Sequence, residues 1–88
     1  MLQKEFTIVN KLGLHARASA LFVKTASRFV SEVKLSKESV EVNGKSIMGI
    51  MMLAASKGTT VKLTVNGPDE EEGMQVIGDI ITNGFGEE

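Results

Sequence analysis

The chain has 88 residues, enough for one small domain, 1–88, that buries about 60% of its unfolded surface. Hydrophobic residues make up 42% of the chain and charged residues 24%, which is typical of a globular domain and not of a disordered segment. The absence of cysteine excludes disulfides, thiolate metal sites and cysteine nucleophiles. A net charge of −1 and the lack of Trp and Tyr argue against a nucleic-acid partner.

The amino-terminal stretch MLQKEFTIVN is charged, and its apolar run is too short for a signal peptide. No stretch approaches the roughly 20 apolar residues that span a bilayer. These features predict a cytoplasmic protein without a membrane segment. The segment 6–31 carries only basic charges, whereas all seven charges after Lys62 are acidic. This segregation predicts one end that attracts an anionic ligand or partner, although two ordinary solvated faces would explain the pattern equally well.

The first half of the chain predicts a strand, a helix and a hairpin. Alternating apolar residues indicate a half-buried strand over 2–9. Apolar residues at three- and four-residue steps then predict a helix over 16–27. The core-facing stripe of this helix is Ala16, Ala20, Val23, Ala26 and Val30. Two short alternating runs, 33–35 and 40–42, flank the polar stretch SKES and predict a β-hairpin.

The second half predicts a short helix, a strand and a longer helix. Ser46 is suited to cap a helix over 47–53, in which Met52 and Leu53 are the core candidates. The stretch TTVKLTVNG alternates in the manner of a fourth strand. A final helix is predicted over 70–83. It is preceded by the capping-box spacing of Asp69 and Glu72, carries acids in its first turn and stops at Asn83-Gly84.

The element order is therefore β-α-β-β-α-β-α, with no repeat and no long linker. One apolar face on each strand and one apolar stripe on each helix predict an α+β fold of two layers. We expect an open-faced β-sandwich in which three helices cover one face of a four-stranded antiparallel sheet.

The chain's single histidine, His15, lies at the predicted start of the first helix. If that helix begins at Ala16, the first backbone amides have no helical acceptor, and histidine is an unusual residue to cap them. A phosphate suits this vacancy, because unpaired amides and the helix dipole form an anion site. The amides of Ala16, Arg17 and Ala18 are the candidate phosphate cradle.

The side chains at this point have the chemistry of phosphoryl transfer. At pH 7 much of an ordinary histidine offers a neutral nucleophilic nitrogen, and Arg17 adds a forked donor for a phosphate. On these residues alone, an unreactive loop histidine beside a solvated arginine is the commoner reading. Metal binding has little support, because one histidine without cysteine cannot supply a structural zinc set.

Four stretches together resemble the family of histidine-containing phosphocarrier proteins, HPr, of bacterial phosphoenolpyruvate-dependent phosphotransferase systems. They are GLHARAS, NGKSIMGIMML, GPDEEE and GFGEE. The resemblance covers essentially the whole chain, and its two main motifs are correctly spaced. The form HARAS, with LAASKG and the acidic GPDEEE, is more similar to the nitrogen-related branch than to the sugar branch.

The resemblance implies a phosphoryl carrier and not a free-standing enzyme. His15 would be phosphorylated at Nδ1 by phospho-enzyme I and would pass the group to an EIIA-type acceptor, with assistance from Arg17. Many members have proline where this chain has Ala18, a departure that a first helical turn tolerates. No cofactor and no metal are implied, and we expect a monomer.

The second motif implies regulation and docking. In the family, the serine that corresponds to Ser46 is phosphorylated in many bacteria by a dedicated HPr kinase/phosphorylase, whereas its structural role is the helix cap. Family members dock partners on the first two helices. The implied docking residues here are Leu21, Lys24, Ile47, Met48 and Met51. A basic ring would surround this apolar patch, formed by Arg17, Lys24, Arg28 and Lys45.

Two other functions remain open at this point. One is a regulatory interaction module that uses the same surface without phosphoryl transfer, although the presence of His15 counts against it. The other is a small hydrolase with His15 as a base, which lacks an evident nucleophile or second acid in the sequence.

Overall fold

The computed structural model describes residues 1–87. The predicted elements are all present, with ends that differ by one or two residues. The strands are β1 (Leu2–Thr7), β2 (Glu32–Lys37), β3 (Val40–Asn43) and β4 (Thr60–Asn66). The helices are α1 (Ala16–Ala26), α2 (Ile47–Met52) and α3 (Glu70–Thr82). A short 3₁₀ turn over Gly84–Gly86, which the sequence analysis did not predict, follows α3.

The four strands form one antiparallel sheet in the order β1-β4-β2-β3. Leu63 of β4 lies opposite Leu35 of β2, and Val61 lies opposite Phe6 of β1, so the apolar side chains share one face. That face meets the helices. The other face is polar and open to solvent, as expected, and only the short side chains of Ser36 and Thr64 are buried among its longer neighbours.

The buried face of α1 differs from the predicted stripe. The structure buries Ala18, Ser19, Phe22, Thr25 and Ala26. Of the predicted residues, Ala26 is buried and Val23 is half-buried. Ala16 and Ala20 are exposed, and Val30 lies beyond the helix with 78% of its surface exposed. The stripe was wrong because alanines carry little apolar surface, and burial of the one phenylalanine of the helix decides which side faces the core.

The core side of α2 is also only partly as predicted. Ile50 and Leu53, three positions apart, point into the core, whereas Met52 is 74% exposed. The assignment of Met52 to the core is wrong because α2 has six residues, too few to bury more than one narrow side. Among the helices of residues 1–87, none is long and apolar enough to cross a membrane.

Helix α3 packs over β1 and β4 through glycine. A Cβ at Gly78 would lie 2.7 Å from Cζ of the Phe6 ring, so only glycine allows this close approach. The acids in the first turn are present as predicted, and the helix ends at Thr82 with Asn83 as its C-cap, before Gly84, whose φ is +63°. The glycine that lowers the helix propensity of this segment therefore sets its distance from the sheet.

The predicted capping box at the start of α3 is wrong. The carboxylate of Asp69 makes no bond to the amides of α3. It instead accepts hydrogen bonds from the amide of Val30 at 2.9 Å, and from the amide and hydroxyl of Ser31 at 2.9 and 2.5 Å. At the helix start, the side chain of Glu70 accepts a hydrogen bond from the amide of Gly67 in the preceding loop at 3.1 Å. Asp69 therefore ties the loop after α1 to the loop before α3.

These bonds make the stability of the fold depend on Asp69 in acid. The hydroxyl of Ser31, followed by the amide of Val30, lowers the pKa of Asp69 below its ordinary value of 3.8. A depressed pKa stabilises the folded state above the ordinary pKa, and this stabilisation is lost as the pH falls through the folded-state value. In urea unfolding at a series of pH values, we expect Asp69→Asn to be less stable at pH 7 and to lose less stability below about pH 4.

A matched control is Asp79→Asn, at an exposed carboxylate whose side-chain partner is Gln75. This variant should follow the wild-type protein across the acid range. A parallel loss of stability in the wild-type and Asp69→Asn proteins would show that the loop tie is not the acid-sensitive contact.

Candidate functional site

The loop before α1 is a tight turn that presents His15. The amide of Gly13 donates to the Asn10 carbonyl oxygen at 3.1 Å, and the amide of Leu14 donates to the Ala55 carbonyl oxygen at 2.9 Å. Gly13 has a φ of +64°, and a Cβ there would lie 2.4 Å from the oxygen of Ala55. Only glycine fits this conformation and this contact. The loop is therefore fixed to the segment that follows α2.

His15 occupies the N-cap of α1, as predicted, and its side chain makes no capping hydrogen bond. The first helical bond joins the amide of Ser19 to the His15 carbonyl oxygen at 2.8 Å. The amides of Ala16, Arg17 and Ala18 precede this bond and have no helical acceptor. They are the three amides that the sequence suggested as a candidate phosphate cradle. Because position 18 is not proline, its amide remains a donor.

A buried hydroxyl supports this turn from below. Ser19 is fully buried, and its Oγ donates to the carbonyl oxygen of Leu14 at 3.0 Å. The bond satisfies a polar group inside the core and joins the first turn of α1 to the residue before His15. Ser19 was not among the predicted site residues, although its position four residues after His15 placed it on the same side of the helix.

An acid that sequence reasoning missed lies against the histidine. Oε2 of Glu87 is 2.5 Å from Nε2 of His15, and Oε1 of Glu87 accepts from Nδ2 of Asn10 at 3.1 Å. The hydrogen bond from Asn10, and then the one from His15, lowers the pKa of the Glu87 carboxyl. The 3₁₀ turn over Gly84–Gly86 brings Glu87 here, and nothing in the local sequence pattern announces a contact across 72 positions.

The contact with Glu87 assigns the two ring nitrogens of His15. A carboxylate with a lowered pKa is ionised at neutral pH and can only accept hydrogen bonds. Nε2 must therefore carry the proton. In the neutral ring this leaves the lone pair on Nδ1.

His15 and Glu87 share a shallow surface depression with four neighbours. Its lining is Lys11, Leu12, His15, Ala16, Arg17 and Glu87. The structure thus brings together the predicted nucleophile, the predicted phosphate ligand and part of the predicted cradle. Lys11 adds a second basic side chain to the depression. Within residues 1–87, no three His, Cys, Asp or Glu side chains are grouped as metal ligands would be.

The second predicted motif forms a separate part of the surface. Ser46 caps α2, since its Oγ accepts from the amide of Gly49 at 3.1 Å. The three predicted docking residues of α2 are exposed, and Met48 is the most exposed of them at 74%. They are Ile47, Met48 and Met51. Helix α1 packs against α2, which places the two predicted docking elements side by side.

The rest of the docking prediction needs adjustment. Lys24 is exposed on α1, but Leu21 is half-buried and packs against the core, so it contributes only part of its side chain. Arg28 lies two residues beyond the end of α1 and not on the helix. Nζ of Lys45 donates to the carbonyl oxygen of Phe29 at 2.7 Å, which fixes this base at the edge of the patch.

Comparisons with known proteins show the family to which the chain is similar in sequence and in fold. A family model described as "PTS HPr component phosphorylation site" matches residues 2–83. The phosphocarrier protein HPr of Cupriavidus necator is 56% identical over 87 residues, which cover 99% of this chain and 98% of that protein. The crystal structure of HPr-C-His from Thermoanaerobacter tengcongensis has a TM-score of 0.96 and 51% identity, covering 100% of this chain and 99% of that one.

A further relative carries a regulatory name. The solution structure of Crh, the catabolite repression HPr of Bacillus subtilis, has a TM-score of 0.68 and 45% identity, and covers 91% of this chain and 95% of that one. The nitrogen-related branch and the monomeric state stay predictions. The family itself is shown by the match over nearly the whole chain. The protein belongs to the HPr family, the phosphocarriers of the phosphotransferase system, which are not free-standing enzymes.

Proposed function

We propose that His15 is the residue that carries the phosphoryl group, taking it from phospho-enzyme I and passing it to an EIIA-type acceptor. The observation that carries this proposal is the pairing of Nε2 with Glu87, which leaves the lone pair on Nδ1 at an unfilled helix start. In the forward step the Nδ1 lone pair attacks phosphorus. A new N–P bond forms while the bond from phosphorus to the donor breaks, and the donor keeps that electron pair.

Glu87 stabilises the ring during this step. Nδ1 gives up its lone pair while Nε2 keeps its proton, so the ring gains positive charge. The carboxylate at 2.5 Å lies against the nitrogen that shares this charge. Onward transfer reverses the step: the acceptor attacks phosphorus, and Nδ1 leaves with its lone pair restored.

Arg17 and the amides at the start of α1 neutralise the phosphoryl oxygens. We expect Arg17→Ala to slow transfer from enzyme I about 100-fold, the scale reported for the loss of one preorganised donor to a developing charge. Because Arg17 is exposed, the free energy of unfolding should change by less than about 0.5 kcal/mol. Quenched-flow transfer rates and urea unfolding provide the two measurements.

The matched variant for this prediction is Arg17→Lys, which keeps the charge and loses the fork. The transfer rate of Arg17→Lys should lie between those of the wild-type protein and Arg17→Ala. An equal loss of rate and of stability in Arg17→Ala would assign Arg17 to the fold and not to the phosphate.

The direct test of the proposal uses the unaltered protein. It is mixed with phosphoenolpyruvate and a cognate enzyme I, and its mass is then measured before and after brief acid treatment. We expect one phosphoryl group per chain, lost in acid as an N–P bond is, and assigned to Nδ1 by ¹⁵N NMR. No label, or a label that survives acid, would contradict the carrier role of His15.

We propose that both partners dock on the exposed side of α1 and α2. The apolar side chains there are methionine-rich, which suits a surface that must adapt to more than one partner. Lys11 and Arg17 line the depression and Lys24 is exposed on α1, so an acidic partner surface fits best. We propose a cytoplasmic monomer, since a monomer leaves this surface free.

Phosphorylation of Ser46 by an HPr kinase/phosphorylase is the regulatory part of the proposal. The hydroxyl is half-buried as the cap of α2, beside Ile47 and Met48, where a dianion would change the docking surface. The resemblance of this chain to the catabolite repression HPr favours such a module as the second candidate function.

We expect an acid-stable label from ATP and an HPr kinase that disappears in Ser46→Ala. The same change removes a helix cap and should cost about 1 kcal/mol of unfolding free energy. The control is Ser39→Ala, at an exposed serine in the turn between β2 and β3, which should keep both the label and the stability. A label that persists in Ser46→Ala would place the modification elsewhere.

A further inference from the structure

Asn10 lies at the junction between the His15 loop and Glu87. It is only 3% exposed. Its Nδ2 donates to the carbonyl oxygen of Gly13 at 2.7 Å and to Oε1 of Glu87 at 3.1 Å. One amide group therefore joins the turn that presents His15 to the carboxylate that contacts the ring.

The orientation of this amide is fixed by its partners. Both neighbours of Nδ2, a carbonyl oxygen and an ionised carboxylate, can only accept hydrogen bonds. If the amide were turned over, Oδ1 would face two acceptors and the interaction would be repulsive. The observed orientation has a desolvation cost, because Oδ1 is buried and has no hydrogen-bond partner among residues 1–87. The two bonds from Nδ2 therefore set the orientation of the amide, and Oδ1 is left buried.

Glu87 is consequently held at both oxygens. Oε1 is bound to Asn10 and Oε2 to Nε2 of His15, so the plane of the carboxylate has little freedom to rotate. The Asn10 contact is also the largest cause of the lowered pKa of Glu87. Lys11 and Arg17 line the same depression and offer Glu87 other positive partners. Without Asn10, we expect the carboxylate to turn toward these bases and away from the ring.

We propose that Asn10 is a positioning residue for phosphoryl transfer, which acts through Glu87 to keep the proton of His15 on Nε2 and the lone pair on Nδ1. This inference rests on the proposed role of His15. It adds that the reactive nitrogen is set by a chain of two hydrogen bonds that begins at a buried asparagine.

The competing explanation is that Asn10 only supports the turn through Gly13. A double-mutant cycle separates the two roles, with Asn10→Ala, Glu87→Ala and the combined variant. If Asn10 acts through Glu87, its replacement matters only while Glu87 is present. If it acts through the turn, the effects of the two changes add.

The first readout is ¹⁵N NMR of the unphosphorylated His15 ring at neutral pH, which requires no partner protein. We expect well-separated Nδ1 and Nε2 resonances in the wild-type protein and a smaller separation in Asn10→Ala. In the Glu87→Ala background, Asn10→Ala should leave the resonances unchanged. A ¹³C titration of the Glu87 carboxyl should show its pKa rising in Asn10→Ala.

The second readout is the rate of transfer from phospho-enzyme I. With Asn10→Ala as the substrate of enzyme I, kcat should fall about threefold to tenfold, the range for one lost hydrogen bond. The KM for this substrate should change little, because the docking surface is intact. The second variant is Asn10→Asp, which keeps the shape of the side chain. It has no donor for Glu87 at neutral pH and should match or exceed the effect of Asn10→Ala.

Each outcome decides one question. The positioning role would be overturned if the Nδ1 and Nε2 resonances stayed equally far apart in Asn10→Ala and Asn10→Asp. It would also be overturned if Asn10→Ala reduced their separation by the same amount with and without Glu87. Failure of the wild-type protein to accept phosphate would overturn the carrier proposal, while the NMR result on the free protein would still test Asn10.

Discussion

The His15→Ala protein is expected to accept no acid-labile phosphoryl group from phospho-enzyme I. No other histidine and no cysteine exist in the chain to replace the ring nitrogen. The loss should be complete and not partial, because removal of the nucleophile abolishes the N–P bond itself, whereas loss of a supporting residue only raises the barrier. Mass spectrometry after incubation with phosphoenolpyruvate and enzyme I measures it.

The fold should survive this change. The His15 side chain caps no amide of α1, and the helix is held by the core residues beneath it. The circular dichroism spectrum should match that of the wild-type protein, and Ser46 should remain a substrate for an HPr kinase. Acid-labile label on folded His15→Ala would show that another residue carries the phosphoryl group.

The second large effect is expected from Gly13→Ala, which should destabilise the protein by roughly 3 kcal/mol. A side chain at this left-handed φ of +64° is itself strained, and its Cβ would lie 2.4 Å from the Ala55 oxygen and 2.8 Å from Cα of Ser56. The loop must move away from the segment after α2. Urea unfolding measures the loss, and slower transfer from enzyme I should accompany it, because His15 lies two residues further on.

The chain offers a matched control in Gly58→Ala. Gly58 also has a positive φ, of +91°, but a Cβ there would meet nothing within 4 Å. This variant carries the backbone strain without the collision, so we expect a loss of about 1 kcal/mol and an unchanged transfer rate. If Gly13→Ala costs no more than Gly58→Ala, the close approach to Ala55 does not hold the His15 loop.

Local chemistry marked the candidate residues of the site without assigning their function. His15 and Arg17 stood out because a histidine is a poor cap and an arginine two residues later suits a phosphate, but only the resemblance to the HPr family favoured phosphoryl transfer over an unreactive histidine. Ser46 was found because its cap is a bond to an amide three residues away, as the structure confirms. Each of these predictions depends on neighbours within a single helical turn.

Glu87 and Asn10 could not be found in this way. Their contacts with the His15 loop depend on where the 3₁₀ turn lies in three dimensions, and on a φ of +59° at Phe85 that no sequence rule assigns to phenylalanine. The prediction that Asp69 caps α3 was wrong for a related reason. The local capping pattern was present, but two amides and a hydroxyl of a distant loop bind the carboxylate instead.

The strands were predicted well because period-two alternation reports directly on a sheet with one wet face. The positions of the helices along the chain were predicted well, but the residues that each helix turns toward the core were predicted less well. In α1 the small alanines gave an ambiguous stripe. In α2 the prediction of Leu53 as a core residue is confirmed, whereas Met52 is exposed and Ile50, about 200° away around the helix, is buried in its place. Such choices depend on which large side chain the sheet accepts, which only the assembled core decides.

The sheet order has a consequence for the newborn chain on the ribosome. Strand β4 lies between β1 and β2, so neither can join the four-stranded sheet until residues 60–66 have emerged. His15 is made early, while Glu87 follows 72 positions later. Because synthesis runs from the amino terminus, an incomplete chain displays the histidine without its sheet or its carboxylate. The surroundings of His15 can therefore be completed only after both β4 and Glu87 have been synthesised.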